Sequence, residues 1–232
     1  MPTNQLLIVV TNVGEYETVG YRTGLWLGEL THFWDVAEEA GYRMDIASPK
    51  GGYIPIDPES LAASVLKEGG VDQRYEDRQF MNLLEETKRV TDLGHESYDA
   101  IYLTGGHGVC YDFPKSAELA QLIAQFFEAQ KIVSAVCHGP AGLLEVRLSD
   151  GKHLLDGRKV TGFSWAEEIK VGRDNAVPYN LEDELKRRGA HYEKAWLTFA
   201  SHVVTDGLLI TGQNPASAAG VGKAVVKSLK AD

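Results

Sequence analysis

The chain has 232 residues, 44% of them hydrophobic and 24% charged, and carries a formal net charge of -10. That length and balance suit one globular core spanning residues 1–232, while the negative charge and the lack of any Lys/Arg cluster exclude nucleic acid and acidic membranes as partners. Two cysteines, Cys110 and Cys137, exclude a four-cysteine zinc site and argue against a disulfide framework.

The opening Met1-Pro2-Thr3-Asn4-Gln5 lacks the basic residues of a signal peptide, and Leu6 to Val10 is too short to cross a bilayer, so a cytoplasmic protein is expected. Short runs rich in Val, Ile and Leu then alternate with amphipathic stretches, the pattern of an α/β fold with a mostly parallel, doubly wound sheet between helices. Strands are expected at Leu6 to Thr11, Arg43 to Ala47, Ala100 to Thr104, Ile132 to Val136 and Lys159 to Thr161. Trp196 to Phe199 and Val203 to Thr211 suggest a hairpin turning at Thr205-Asp206-Gly207. Helices fit Thr23 to Ala40, Ser116 to Ala129, Pro140 to Glu145, Asn180 to Arg188 and Ser217 to Leu229.

The first of these helices carries an anomaly. At 100° per residue Leu25, Glu29, Phe33, Val36 and Ala40 share one stripe, which sets a carboxylate in an apolar face. Burial there raises a carboxyl pKa and suits a general acid or base near neutral pH. Further along, Thr104-Gly105-Gly106-His107-Gly108 follows a strand, where glycines let backbone N–H groups approach a developing oxyanion. Gly106 and His107 are therefore candidate oxyanion or substrate-binding residues. The loop fails the GxGxxG spacing, and His107 with Cys110 alone makes a poor metal site, so no metal and no cofactor is assigned.

Ala135-Val136-Cys137-His138-Gly139-Pro140 is the most informative stretch. A strand that breaks into a helix at Gly-Pro forms a nucleophile elbow, with Cys137 exposed at the turn beside the helix's positive end. The thiol pKa is expected to be lowered there. His138 reaches the sulfur only if the turn bends the chain. Trp26, Trp165, Tyr111 and Phe113 are candidate walls of a substrate pocket.

Taken with Gly24-Leu25-Trp26-Leu27-Gly28-Glu29-Leu30, the run Gly106 to Pro114, Thr161-Gly162-Phe163 and Thr211-Gly212-Gln213-Asn214-Pro215-Ala216-Ser217, these motifs resemble the ThiJ/PfpI superfamily over nearly the whole chain. Within it they are similar to the small heat-shock-protein branch of glutathione-independent glyoxalases III. The resemblance implies a class I glutamine amidotransferase-like, flavodoxin-like fold. It implies Cys137 as nucleophile, Glu29 as its acid/base partner and His138 as catalytic histidine. An acidic residue after Phe163 would orient His138, Glu168 by alignment, with adjacent Glu167 the alternative. Backbone N–H groups of Gly106 and His138 would form the oxyanion hole.

The activity so implied is that of a lyase, a D-lactate dehydratase that turns methylglyoxal and water into lactate, or glyoxal into glycolate, without cofactor and as a homodimer. The same thiol could serve a cysteine peptidase or amidase, a protein deglycase, or a stress-related holdase or redox sensor. The larger bacterial chaperones of the group differ in having a long N-terminal extension and a two-histidine, one-carboxylate metal cluster, neither of which is evident in this sequence.

Overall fold

The computed structural model of the protein describes residues 3–231. In chain order the elements are β1 (Gln5–Val9), α1 (Leu27–Glu39), β2 (Arg43–Ser48), and the short helices α2 (Ala63–Leu66), α3 (Val71–Glu76) and α4 (Arg78–Asn82). β3 (Lys88–Arg89), β4 (Ala100–Leu103), α5 (Val109–Asp112), α6 (Ala117–Glu128) and β5 (Ile132–Val136) follow. The chain ends through β6 (Lys159–Val160), α7 (Trp165–Lys170), α8 (Leu181–Arg187), β7 (His191–Tyr192), β8 (Val203–Asp206), β9 (Leu209–Gly212) and α9 (Ala218–Leu229). No helix among the described residues is long and apolar enough to cross a membrane.

Seven strands form one sheet in the order β3-β2-β1-β4-β5-β9-β8, parallel throughout except for the β8/β9 hairpin. The expected α/β architecture is therefore present. β4 and β5 are buried along their whole length, which explains why they read as unbroken apolar runs rather than alternating ones. One face of the sheet packs against α6 and α8, whose Leu119, Ile123, Phe126 and Leu185 meet Leu7, Ile101 and Val133. The other face packs against α1 and α9, with Leu30, Phe33, Val221 and Val225 against Ile8, Tyr102 and Ile210. Strand order reverses between β1 and β4, and parallel sheets leave a crevice outside the strand carboxyl ends at such a point.

Several expected elements are corrected. Lys159 to Thr161 does not join the main sheet; its first two residues pair with His191 and Tyr192 in a separate two-stranded ribbon. Trp196 to Phe199 is a turn, not a strand, and the hairpin is made within Val203 to Gly212, reversing at Gly207, whose φ is +59°. Helix α1 starts at Leu27 because Leu25 is still extended, exchanging backbone hydrogen bonds with Pro55 and Asp57. The segment after Cys137 is a 3₁₀ helix of five residues, Gly139–Leu143, rather than an α-helix. Its aligned peptide dipoles are correspondingly few.

Candidate active site

β5 delivers the chain to Cys137, which turns away with a φ of +58°, a left-handed conformation costly for a side chain with a Cβ. Both of its peptide groups are held: the N–H donates to the carbonyl of Gly212 at 2.9 Å, and the carbonyl accepts from the Phe163 N–H at 2.8 Å. Strand β9 on one side and the 162–163 segment on the other thus fix the elbow. Crowding fixes it further. A Cβ on Gly139 would lie 2.4 Å from the Leu103 carbonyl oxygen.

The strained turn swings His138 back onto the sulfur, with Sγ and Nδ1 3.3 Å apart. On the far side of the ring Nε2 meets Oε2 of Glu168 at 2.8 Å. Glu168, not Glu167, is therefore the acidic residue that meets the histidine. Its other oxygen is 2.7 Å from Nε2 of His107, so one carboxylate holds two imidazoles. The rings lie 4.2 Å apart between centroids, with Phe163 4.6 Å from His138.

Electrostatics follow from this. Burial opposes charge on Glu168, but His138 and His107 together hold its carboxyl well below the usual range. An ionised carboxylate only accepts, so each Nε2 carries the proton, and the neutral form of His138 then presents a bare Nδ1 to the thiol. Burial, with His138 nearby, pushes the His107 pKa down despite Glu168.

Glu29 sits in the first turn of α1, fully buried. Tyr102, stacked on Phe33 at 3.8 Å, donates its hydroxyl to the Glu29 carbonyl and helps hold that turn against β4. One carboxyl oxygen accepts the Gly105 N–H at 2.7 Å; the other is buried and has no hydrogen-bond partner among the described residues. Burial raises this carboxyl to about 8, against the opposing pull of Cys137 and the Gly105 N–H. At pH 7 it holds a proton.

The same surroundings overturn the expected lowering of the Cys137 pKa. Burial drives it well above the ordinary thiol value, and the charges of Glu167 and Glu168 add to the effect. A five-residue 3₁₀ helix cannot offset that. The resting thiol so raised keeps its proton, and His138 Nδ1 is the nitrogen in contact with it.

Gly105 closes the gap between these groups. A Cβ there would fall 2.6 Å from Oε2 of Glu29 and 2.9 Å from the Cβ of Cys137. Gly105→Ala is expected to part carboxyl and thiol, lowering unfolding free energy by about 1–3 kcal/mol. Urea unfolding reads the loss, and the alkylation rate of Cys137 should change with it.

The cavity in front of Cys137 encloses about 120 Å³ and is lined by Trp26, Gly106, His107, His138, Phe163 and Phe199. Of the expected wall residues, only Trp26 reaches it. Phe113 packs in the core beneath the sheet, Tyr111 sits with Tyr16 and Cys110 in a separate small cluster, and Trp165 is not part of the lining. Phe199, Val171, Glu59 and Pro215 also line the cavity without having been singled out as walls in the sequence. Glu59 is anchored by an ion pair with Arg173.

The backbone N–H groups of Gly106 and His138 donate to no other group among the described residues. The sequence hinted at no two-histidine, one-carboxylate cluster, yet His107, His138 and Glu168 bring one ligand atom each within 4.8 Å of one another. Both Glu168 oxygens are already taken up by ring N–H groups, so an ion would enter only by displacing those protons.

The chain is similar to several known proteins along nearly its whole length. Glutathione-independent glyoxalase HSP31 of Saccharomyces cerevisiae is 28% identical over 99% of this chain and 100% of its own length. The crystal structure of glyoxalase III from Candida albicans superposes with a TM-score of 0.89 at 27% identity, covering 97% of each chain. That of Rapid Encystment Protein 24 KDa from Francisella tularensis gives 0.92 at 36% identity over 99% of each. The model of the DJ-1/PfpI family matches residues 23–228, from the strand-like segment before Glu29 to the end of α9. With that span enclosing the elbow, the buried glutamate and the paired histidines, the chain belongs to the DJ-1/PfpI family.

Proposed function

We propose that the protein is a glutathione-independent glyoxalase that converts methylglyoxal and water to lactate, and glyoxal to glycolate, with Cys137 supplying the thiol. The observation that carries this is the placement of the Cys137 sulfur between a histidine base and a protonated, buried Glu29 in a cavity of about 120 Å³. Such a space suits a molecule of a few heavy atoms. An extended peptide finds little access to a cysteine that is only 4% exposed, which disfavours the peptidase alternative.

In this mechanism His138 Nδ1 takes the thiol proton while the sulfur bonds to the aldehyde carbon. The oxyanion so formed is held by the N–H groups of Gly106 and His138 and then receives that proton, giving a hemithioacetal. His138 next removes the hydrogen from the same carbon as Glu29 protonates the neighbouring ketone oxygen, yielding an enediol. Return of the histidine's proton to the ketone carbon, and of the hydroxyl proton next to sulfur to Glu29, produces a 2-hydroxyacyl thioester with both residues restored. Water, deprotonated by His138, displaces the sulfur, which recovers a proton. The sum is methylglyoxal plus water giving lactate.

His107 has no proton to move in this sequence. It fixes Glu168 and walls the substrate. As proposed, the enzyme works as a cytoplasmic homodimer on small 2-oxoaldehydes and requires no cofactor. Purified wild type is expected to form lactate from methylglyoxal without glutathione, and Cys137→Ala to form none above the uncatalysed rate. Equal turnover by the two proteins would overturn the assignment.

A further inference from the structure

Glu167 is as deeply buried as Glu29, yet it touches neither histidine. Its carboxylate instead gathers five donors. Oε2 accepts from the Ser164 N–H at 2.9 Å, the Ser164 hydroxyl at 2.8 Å and the Gln213 amide at 2.9 Å, while Oε1 accepts from the Phe199 N–H at 2.7 Å and the Asn214 amide at 3.0 Å. The first two belong to the cap of α7, the helix that also carries Glu168.

The last two donors act on the turn that follows β7. Asn214 also donates to the carbonyl of Ala200 at 2.8 Å, so the peptide before Phe199 and the one after Ala200 are tied to one polar cluster. Phe199 is held with a φ of +64°, a conformation a phenylalanine adopts only when its surroundings impose it. The result is an aromatic ring that lines the cavity while remaining 43% exposed, 6.4 Å from Phe163 between centroids. It stands on the rim. Val171, the residue that ends α7, lines the cavity with it and is likewise partly exposed.

We propose that Glu167 is a positioning residue that pins Phe199 across the cavity mouth, and that the ring so placed restricts the substrate to 2-oxoaldehydes with a hydrogen or a short alkyl group. This rests on the glyoxalase reading for its substrate class, but the gate itself is a property of access to Cys137. Neighbouring glutamates thereby divide two tasks on one helix: Glu168 orients the base, and Glu167 sets the aperture.

A glutamine at 167 cannot reproduce the arrangement, because every partner of the carboxylate is a donor and the amide nitrogen would face either Phe199 and Asn214 or Ser164 and Gln213. The test compares kcat/KM for phenylglyoxal with that for methylglyoxal in wild type, Phe199→Ala, Glu167→Gln and the double variant. Phe199→Ala is expected to raise the ratio by about tenfold or more, the scale on which a pocket distinguishes substrates by size. Glu167→Gln should move it the same way, and the double variant should not exceed Phe199→Ala alone.

In parallel, alkylation of Cys137 by N-ethylmaleimide relative to iodoacetamide, followed by mass spectrometry of its peptide, should rise in the same variants. That measurement needs no turnover. A wild type without lactate formation would remove the glyoxalase reading while leaving the aperture open to test by alkylation. Should Glu167→Gln not fold, Glu167→Asp, which keeps both oxygens but withdraws them by a methylene, carries the same expectation. An unchanged alkylation ratio in Phe199→Ala overturns the gate, and a changed ratio there with none in the Glu167 variants overturns the role of Glu167.

Discussion

Glu168→Ala should slow lactate formation from methylglyoxal by about 10³- to 10⁴-fold in kcat, the scale seen when the group that orients a catalytic histidine is lost. In the wild type both Nε2 positions are protonated because both face one ionised carboxylate. Without it, His138 is free to place its proton on Nδ1, where it faces the Cys137 sulfur and can accept nothing. Two buried ring N–H groups also lose their partner, so unfolding free energy should fall by about 1–3 kcal/mol. Glu168→Gln should be intermediate. One amide oxygen can serve one histidine, and the remaining ring must turn its proton elsewhere. Steady-state kinetics and urea unfolding of the two variants give the comparison; an alanine variant within threefold of wild type would remove Glu168 from the relay.

Glu29→Gln is expected to separate activity from stability. Proton transfer between the substrate's two carbons would lose its acid, at a cost of about 10²- to 10⁴-fold in kcat. Stability should move the other way at alkaline pH. Because burial raises this carboxyl to about 8, the folded chain still binds its proton where the unfolded chain has released it. Folded protein therefore binds more protons than unfolded between about pH 4.5 and 8, and the wild type loses stability as pH rises through that window. The glutamine variant has nothing to ionise.

The difference in unfolding free energy between the variant and wild type should thus shift in the variant's favour by about 2–4 kcal/mol from pH 5 to pH 9. Comparing two pH values cancels the fixed cost of the amide itself. For the same reason wild-type kcat/KM should decline above about pH 8, where the free enzyme's Glu29 gives up its proton. A pH-independent difference between the two proteins would contradict the raised carboxyl.

Some of this was legible in the residues. The central strands stood out because burial on both faces demands unbroken apolar runs, and Gly139-Pro140 marked where the chain must turn after Cys137. Glu29 betrayed itself as the charged member of an apolar stripe. Other features depend on distance in space alone. The pairing of His107 with Glu168 joins residues 61 positions apart, and no local pattern announces it.

The direction of the Cys137 shift was misjudged for a related reason. A helix start is visible in sequence, whereas burial beside three glutamates from other segments is not. Trp196 to Phe199 misled differently: its apolar character serves a cavity rim and an exposed turn, with Trp196 99% exposed, rather than a sheet. β3 and β7, two residues each, carry too little periodicity to be read at all.

The carboxylates that organise the site are each joined to partners far along the chain: Glu29 to Gly105, Glu168 to His107, Glu167 to Phe199. No pair lies within one hairpin or one helix, and the first two span strands of the main sheet, β2 to β4 between Glu29 and Gly105 and β5 between His107 and Glu168. Loop-closure entropy must be overcome for every such contact, and it is overcome only when the topology is nearly complete. A chain whose sheet is incomplete has neither the strained elbow at Cys137 nor a glutamate against it. The candidate site is thus a property of the whole topology, and no single fragment of the chain holds all of its contacts.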